Sequence, residues 1–171
     1  MKTKYIYPKN KELFKELILF AKKIIKICKD NKITPVIYGS FAHFYHTKDE
    51  NMKVNDIDIL VRGKNLVKVT EVLKENKIKF RYYPEHSTII IKKGKLRVEI
   101  DNISSDYRTI KKDALPRRVD KTDFYGIEVW LLTLKHLEEM YPIAYTRSVE
   151  NKARIKKKIK HLEKFLGRKF K

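Results

Sequence analysis

Asp56 and Asp58 stand two residues apart inside an apolar run, Asn55-Asp56-Ile57-Asp58-Ile59-Leu60-Val61. In a strand, residues i and i+2 project from the same face. The two carboxylates would then lie about 6–7 Å apart and repel each other unless a cation sat between them. Hard oxygen donors of this kind suit Mg²⁺ or Mn²⁺. Upstream, Tyr38-Gly39-Ser40-Phe41-Ala42 closes another apolar run. Gly-Ser at that place reads as a tight strand-to-helix turn, because glycine tolerates positive φ. The free N–H groups and positive dipole end of the helix that follows favour anionic oxygens. Ser40 adds a hydroxyl donor. A phosphate cradle beside a divalent-metal pair implies chemistry on a nucleoside triphosphate (NTP).

A third acid would complete a two-metal site. The run Leu96-Arg97-Val98-Glu99-Ile100-Asp101 alternates in the manner of a strand. Leu96, Val98 and Ile100 share one face, while Glu99 and Asp101 share the other. Asp56, Asp58 and one of these acids could hold two ions bridging the triphosphate. The third acid could also take the proton from an acceptor hydroxyl. In-line attack on the α-phosphorus would then expel pyrophosphate.

These residues need elements to hold them. Apolar positions from Leu13 to Cys28 recur at helical spacing and predict an amphipathic helix over Pro8 to Lys29, with Pro8 in its first turn. Val36 to Tyr38 is a short buried strand ended by Gly39, and Ser40 to His46 a helix. Thr47 to Lys53 is a polar loop, Val54 to Val61 the second strand, and Asn65 the cap of a helix reaching about Lys74. Phe80 to Tyr83, Thr88 to Lys92 and Leu96 to Asp101 read as strands, the last two joined at Lys93-Gly94. Tyr107 to Asp113 fits no single element. Arg117 to Val119 and Ile127 to Leu131 read as strands across a turn at Gly126. Thr133 caps a helix that Pro142 ends or kinks. Ser148 caps a last helix with Ile155, Ile159, Leu162 and Phe165 as its apolar stripe. The order predicts an α+β fold, a mixed sheet of about five strands flanked by helices, in a single domain over 1–171. The chemistry falls within about 33–103, and a helical C-terminal region covers about 132–171.

The joint pattern resembles the polymerase-beta-like nucleotidyltransferase superfamily, whose signature is Gly-Ser, a spacer, Asp-x-Asp/Glu and a third acid on a later strand. The spacer here, Phe41 to Asn55, is longer than in the minimal antitoxin-type members. The resemblance implies the nucleotidyltransferase fold and roles for Gly39 and Ser40 in nucleotide binding. It implies Asp56, Asp58 and Asp101 as catalytic metal ligands, since members usually place an Asp near a strand end. Glu99 is the alternative third acid. Leu131 to Leu137, Tyr141 to Arg147 and Lys152 to Leu162 are similar to the C-terminal part of AbiEii-type (abortive-infection) relatives. Those open the last helix with Lys-Asp, where this chain has Asn151-Lys152. The implied activity is transfer of a nucleoside monophosphate (NMP) from an NTP, ATP included, to a hydroxyl on RNA, protein or a small molecule.

Composition bounds the partners. Among 171 residues, 41 Lys and Arg oppose 21 Asp and Glu, a formal net charge of +20. Such a field favours polyanions, so RNA (tRNA foremost) or DNA is an expected partner. Residues 147–171 alone carry a charge of +9. The bland reading is a lysine-rich genome composition, in keeping with the absence of glutamine. Lys135, Arg147 and Lys152 could neutralise a triphosphate, or be solvated surface. His43 and His46 share a helix face but lack the Cys or Glu partners of a zinc site. The lone Cys28 permits no internal disulfide. No run approaches the roughly 20 apolar residues that span a membrane, and Met1 to Asn10 lacks signal-peptide features. A cytoplasmic protein is expected. Two other readings use the same residues: a non-catalytic, antitoxin-like module that binds nucleotide, RNA or a protein partner, and a metal nuclease. A nuclease has no need of a triphosphate cradle, which argues against it.

Overall fold

The computed structural model describes residues 5–102, 119–147 and 150–170. The segment Tyr107 to Asp113, the pair Arg117-Arg118 and the Ser148 cap lie outside the described residues, as does the Arg147 side chain. Seven strands form one mixed sheet in the order β3-β4-β5-β2-β1-β7-β6, two more than the sequence suggests. They are β1 (Val36–Tyr38), β2 (Ile57–Val61), β3 (Phe80–Tyr83), β4 (Thr88–Lys93), β5 (Leu96–Asn102), β6 (Val119–Asp123) and β7 (Glu128–Leu132). The helices are α1 (Lys11–Asp30), α2 (Gly39–Thr47), α3 (Lys64–Glu75), α4 (Leu134–Arg147) and α5 (Lys152–Leu166), with a 3₁₀ turn at Pro84–His86.

The sheet centre is set by three pairings. β1 runs antiparallel to β2 and parallel to β7, and β2 runs parallel to β5. Alternation then sorts the side chains. Ile37, Ile57, Ile59, Val61, Val98, Ile100, Ile89, Ile91, Val129 and Leu131 belong to one cluster with Phe14, Leu17, Ile24 and Ile25 of α1 and Leu66, Val69 and Leu73 of α3. Each such side chain contributes about 1.5–3 kcal/mol on burial. A small second cluster of Val36, Leu60 and Leu132 lies on the opposite face. That opposite face also carries Tyr38, Asp58, Glu99 and Asp101.

Several boundaries move for local reasons. Pro8 precedes α1 rather than sitting in its first turn, because Asn10 is occupied elsewhere. Its amide Nδ2 donates to the Val54 carbonyl at 2.8 Å, and its Oδ1 accepts from the Val54 N–H at 3.2 Å. These bonds pin the segment before β2, so β2 starts at Ile57 and Asp56 lies just outside the ladder. α3 begins one residue before Asn65. Thr133 does cap α4: its Oγ1 accepts from the His136 N–H at 3.3 Å. α4 continues through Pro142 to Arg147. Within the described residues β6 covers Val119–Asp123 and turns into β7 through Tyr125 and Gly126, both at positive φ. Lys93-Gly94 joins β4 to β5 as the sequence suggests.

Candidate active site

Gly39 ends β1 and opens α2 with φ of +67°. A Cβ built on it would fall 1.8 Å from Asp58 Oδ2. Two demands therefore fix glycine here: a left-handed backbone and a carboxylate pressed against the Cα. The strand register explains the approach, because Tyr38 is the direct partner of Asp58 on β2. Ser40 is buried in the first turn of α2.

The acids gather on the same face. Glu99 on β5 is the direct partner of Asp58, while Asp101 pairs with Leu60, two residues further along. Asp101 is buried, and its carboxylate accepts hydrogen bonds from the hydroxyls of Tyr38 and Thr88. Glu99 is paired with the Arg97 guanidinium. Burial, then the charges of Asp56 and Glu99, hold the Asp58 carboxyl well above the usual carboxylate range. Glu99 is also raised, by burial and by Asp101, with Arg97 opposing the shift. Asp56 Oδ1 is a buried oxygen without a hydrogen-bond partner. Crowded carboxylates and an orphaned oxygen make a donor set that a hard cation would relieve. Among the described residues, no group of three or more His, Cys, Asp or Glu side chains is arranged as a complete metal cage.

Besides Arg97, Lys158 reaches this site; the sequence alone did not single it out from the other lysines of α5. Its ammonium donates to Ser40 Oγ at 2.9 Å and lies 5.5 Å from the centre of the Tyr141 ring. Burial and the nearby Arg154 lower its pKa, while Asp58 and Asp56 pull it back up. The helical stripe Ile155, Ile159 and Leu162 gives the signal that could have found it. Lys158 stands three residues after the first of these and four before the last, on the inward side. Lys135 and Lys152 are exposed, the latter 5.9 Å from the centre of the Tyr145 ring. Tyr141, buried on α4, approaches Asp58 closely enough that burial and this charge raise its pKa and keep its hydroxyl protonated.

The histidines are placed by hydrogen bonding. His46 Nε2 bonds the Leu132 carbonyl at 2.7 Å. His43 is buried between His161 Nδ1, 2.8 Å from its Nε2, and the Tyr141 hydroxyl, 3.2 Å from its Nδ1. His161 Nε2 lies 2.9 Å from Asp49 Oδ2. Burial, followed by the proximity of His161 and Lys158, pushes the His43 pKa down to about 3.

Comparison with solved structures places this architecture. The chain matches an antigenic nucleotidyltransferase-like protein from Paracoccidioides brasiliensis with a TM-score of 0.60 at 17% identity, covering 91% of this chain and 77% of that one. It matches the antibiotic-resistance factor ANT(2'')-Ia with a TM-score of 0.58 at 10% identity, covering 90% and 92%. For the lincosamide antibiotic adenylyltransferase LnuA the TM-score is 0.51 at 16% identity, covering 85% and 96%. No protein-family model matches the chain, and no curated protein matches it in sequence. The chain has the α+β nucleotidyltransferase fold.

Proposed function

We propose that this protein is a metal-dependent nucleotidyltransferase that moves an NMP from an NTP to a hydroxyl acceptor and releases pyrophosphate. The observation that carries the reading is the convergence at Gly39. A positive-φ glycine presses its Cα against Asp58, while Ser40 and Lys158 meet at the same turn. Phosphate oxygens would be received by the N–H groups at the start of α2, the Ser40 hydroxyl and the Lys158 ammonium. Asp56 and Asp58 would hold Mg²⁺ or Mn²⁺, with phosphate oxygens and water completing the coordination, the usual habit of Mg²⁺. When bound, the metal supplies charge neutralisation on the triphosphate and orients the α-phosphorus for in-line displacement.

The third acid, which a second ion would require, is Glu99 or Asp101. Glu99 is favoured by its register opposite Asp58. The Asp101 oxygens already receive the Tyr38 and Thr88 hydroxyls, so Asp101 is better placed to order this strand face. The solved enzymes similar in fold include an antibiotic adenylyltransferase. The charge of +20 nevertheless makes RNA, tRNA included, the first acceptor to try, with DNA, protein and small molecules after it.

A second reading, a nucleotide-binding module without transferase activity, is favoured by one observation: no three acids among the described residues form a complete metal cage. One experiment separates the readings. The full chain is incubated with NTPs labelled at the α-phosphate, Mg²⁺ or Mn²⁺, and total RNA or lysate. Transfer of label with pyrophosphate release is expected, abolished by Asp56→Asn or Asp58→Asn, and reduced more by Glu99→Gln than by Asp101→Asn. Nucleotide binding without transfer would select the second reading. If no label moves and the chain binds neither metal nor nucleotide, both readings fall.

A further inference from the structure

Two pairs of side chains bridge α2 and α5 with the same spacing on each helix. Ser40 and His43 are three residues apart on α2, and Lys158 and His161 are three residues apart on α5. Residues at this spacing sit one above the other on a helix face. Ser40 bonds Lys158 at 2.9 Å, and His43 bonds His161 at 2.8 Å. The contacts form a polar ladder of two rungs. The first rung is in the candidate site, and the second lies about one helical turn further along both helices.

With both imidazoles neutral, the hydrogen bonds of the second rung run in one direction. His161 Nε2–H donates to Asp49, which leaves its Nδ1 as an acceptor. His43 Nε2–H donates to that nitrogen, and its own Nδ1 accepts from the Tyr141 hydroxyl. The hydrogen bonds are continuous from Tyr141 through His43 and His161 to Asp49. Tyr141 also joins the rungs, since its ring lies beneath the Lys158 ammonium. The apolar contacts of α5, Leu162 with the partly buried Ile155 and Ile159, are non-directional and set its register less sharply than hydrogen bonds do. Leu162 is its one fully buried side chain among the described residues, and Phe165 is 48% exposed.

We infer that His161 and His43, bridged between Asp49 and Tyr141, are positioning residues that fix the register of α5 on α2 and thereby seat Lys158 over the triphosphate cradle. The inference rests on the proposed nucleotide site and adds the device that builds it. A lysine has a long, freely rotating stem, so its ammonium reaches a phosphate reproducibly only if its helix cannot slide or turn. The imidazole rung supplies that constraint with directional bonds. It also gives His43 of α2 a structural partner, and it distinguishes one lysine from its neighbours on a basic helix.

The test is a double-mutant cycle on the full chain, read by calorimetric titration with Mg-NTP and with the corresponding nucleoside. His161 is only half-buried, so His161→Ala is the variant of choice over His43→Ala, which risks the core. His161→Ala and Lys158→Met should each weaken Mg-NTP binding by roughly tenfold, while nucleoside binding changes less than about twofold. The double variant should bind no more weakly than Lys158→Met alone, because His161 acts through Lys158. His161→Gln, which restores a donor and an acceptor, should recover most of the loss. A second readout needs no nucleotide: the ¹⁵Nζ and ¹³Cε resonances of Lys158 should move in His161→Ala to the position of the solvated lysines. Full additivity in the cycle, or an unmoved Lys158 resonance, would overturn the inference. If the wild-type chain binds no NTP, the functional reading fails instead, and the lysine resonance still decides the ladder.

Discussion

At the scale of single residues, Asp58 carries a cost that Lys158 opposes and that a bound cation would offset further. It is pressed between Gly39 and Glu99, and its pKa is raised by burial first and by Asp56 and Glu99 next. The linkage sign follows directly. The folded state holds this proton more tightly than the unfolded chain does. The contribution of Asp58 to stability is therefore fully present below the ordinary Asp value of about 4, and is lost as pH rises from there through the raised folded value. Glu99 adds to the decline in the same direction. Asp58→Asn keeps the shape and removes the charge. Its melting temperature should exceed that of the wild type at pH 8, by several degrees for a change of about 1 kcal/mol, and match it near pH 4. Mg²⁺ should raise the melting temperature of the wild type at pH 8 and leave that of Asp58→Asn unchanged. A thermal-shift series across pH, with and without Mg²⁺, checks both. A variant less stable than the wild type at pH 8 would mean that the carboxylate is already compensated within the fold. Stability and the proposed function pull in opposite directions at this one carboxylate.

At the scale of elements, α5 completes the site from the edge of the fold. Among the described residues, the buried Leu162, the partly buried Ile155 and Ile159, the polar ladder and the Arg168–Glu138 pair hold it to the rest of the chain. Leu162→Ala should cost about 2–4 kcal/mol if the loss is felt by the whole fold. Because α5 lies at the edge of the core, the expected outcome is local opening. Amide exchange should rise throughout 152–166 while β1, β2 and β5 keep their protection, and Mg-NTP binding should weaken in parallel. Uniform loss of protection across the sheet would show that α5 is integral to the core instead. The same elements mark how far the sequence could be read. The local conformations at Gly39, Ser40 and Asp58 were legible because each follows from a local rule: positive φ, a helix start, strand parity. The order of elements and the Lys93-Gly94 hairpin were legible for the same reason. Lys158 and His161 were not, because their role depends on which face of α2 meets which face of α5, a long-range packing outcome that leaves no local mark. The register that sets Glu99, rather than Asp101, opposite Asp58 is likewise a property of two strands and of neither alone. Asp56 slipped out of the ladder through Asn10, 46 positions earlier in the chain.

At the scale of the whole molecule, the question is whether a charge of +20 is a surface with a purpose or a composition spread evenly. α5 divides its cations. Lys158 faces the site, while Lys156, Lys157, Lys160 and Lys164 are exposed on its outer side. A concentrated stripe and a uniform excess differ in a measurable way. A nucleic acid laid along α5 would engage several phosphates at once, and each engaged phosphate releases counterions. Four to six contacts on a single strand correspond to a slope of log K against log salt of about −3 to −4. Two triple variants with equal net charge then separate the cases. Lys156→Glu, Lys160→Glu and Lys164→Glu together alter the outer face of α5. Lys11→Glu, Lys23→Glu and Lys26→Glu together alter exposed positions of α1. A docking face on α5 predicts that the first set weakens binding of single-stranded RNA at least tenfold more than the second and flattens the salt slope. It also predicts that Mg-NTP binding is little changed, because Lys158 is retained. Charge spread as mere composition predicts equal losses for both sets, since only the total field then matters. Fluorescence anisotropy over a range of salt concentrations reads both quantities. Equal losses would remove the physical reason for seeking the acceptor among RNAs and turn the search toward hydroxyls on small molecules and proteins.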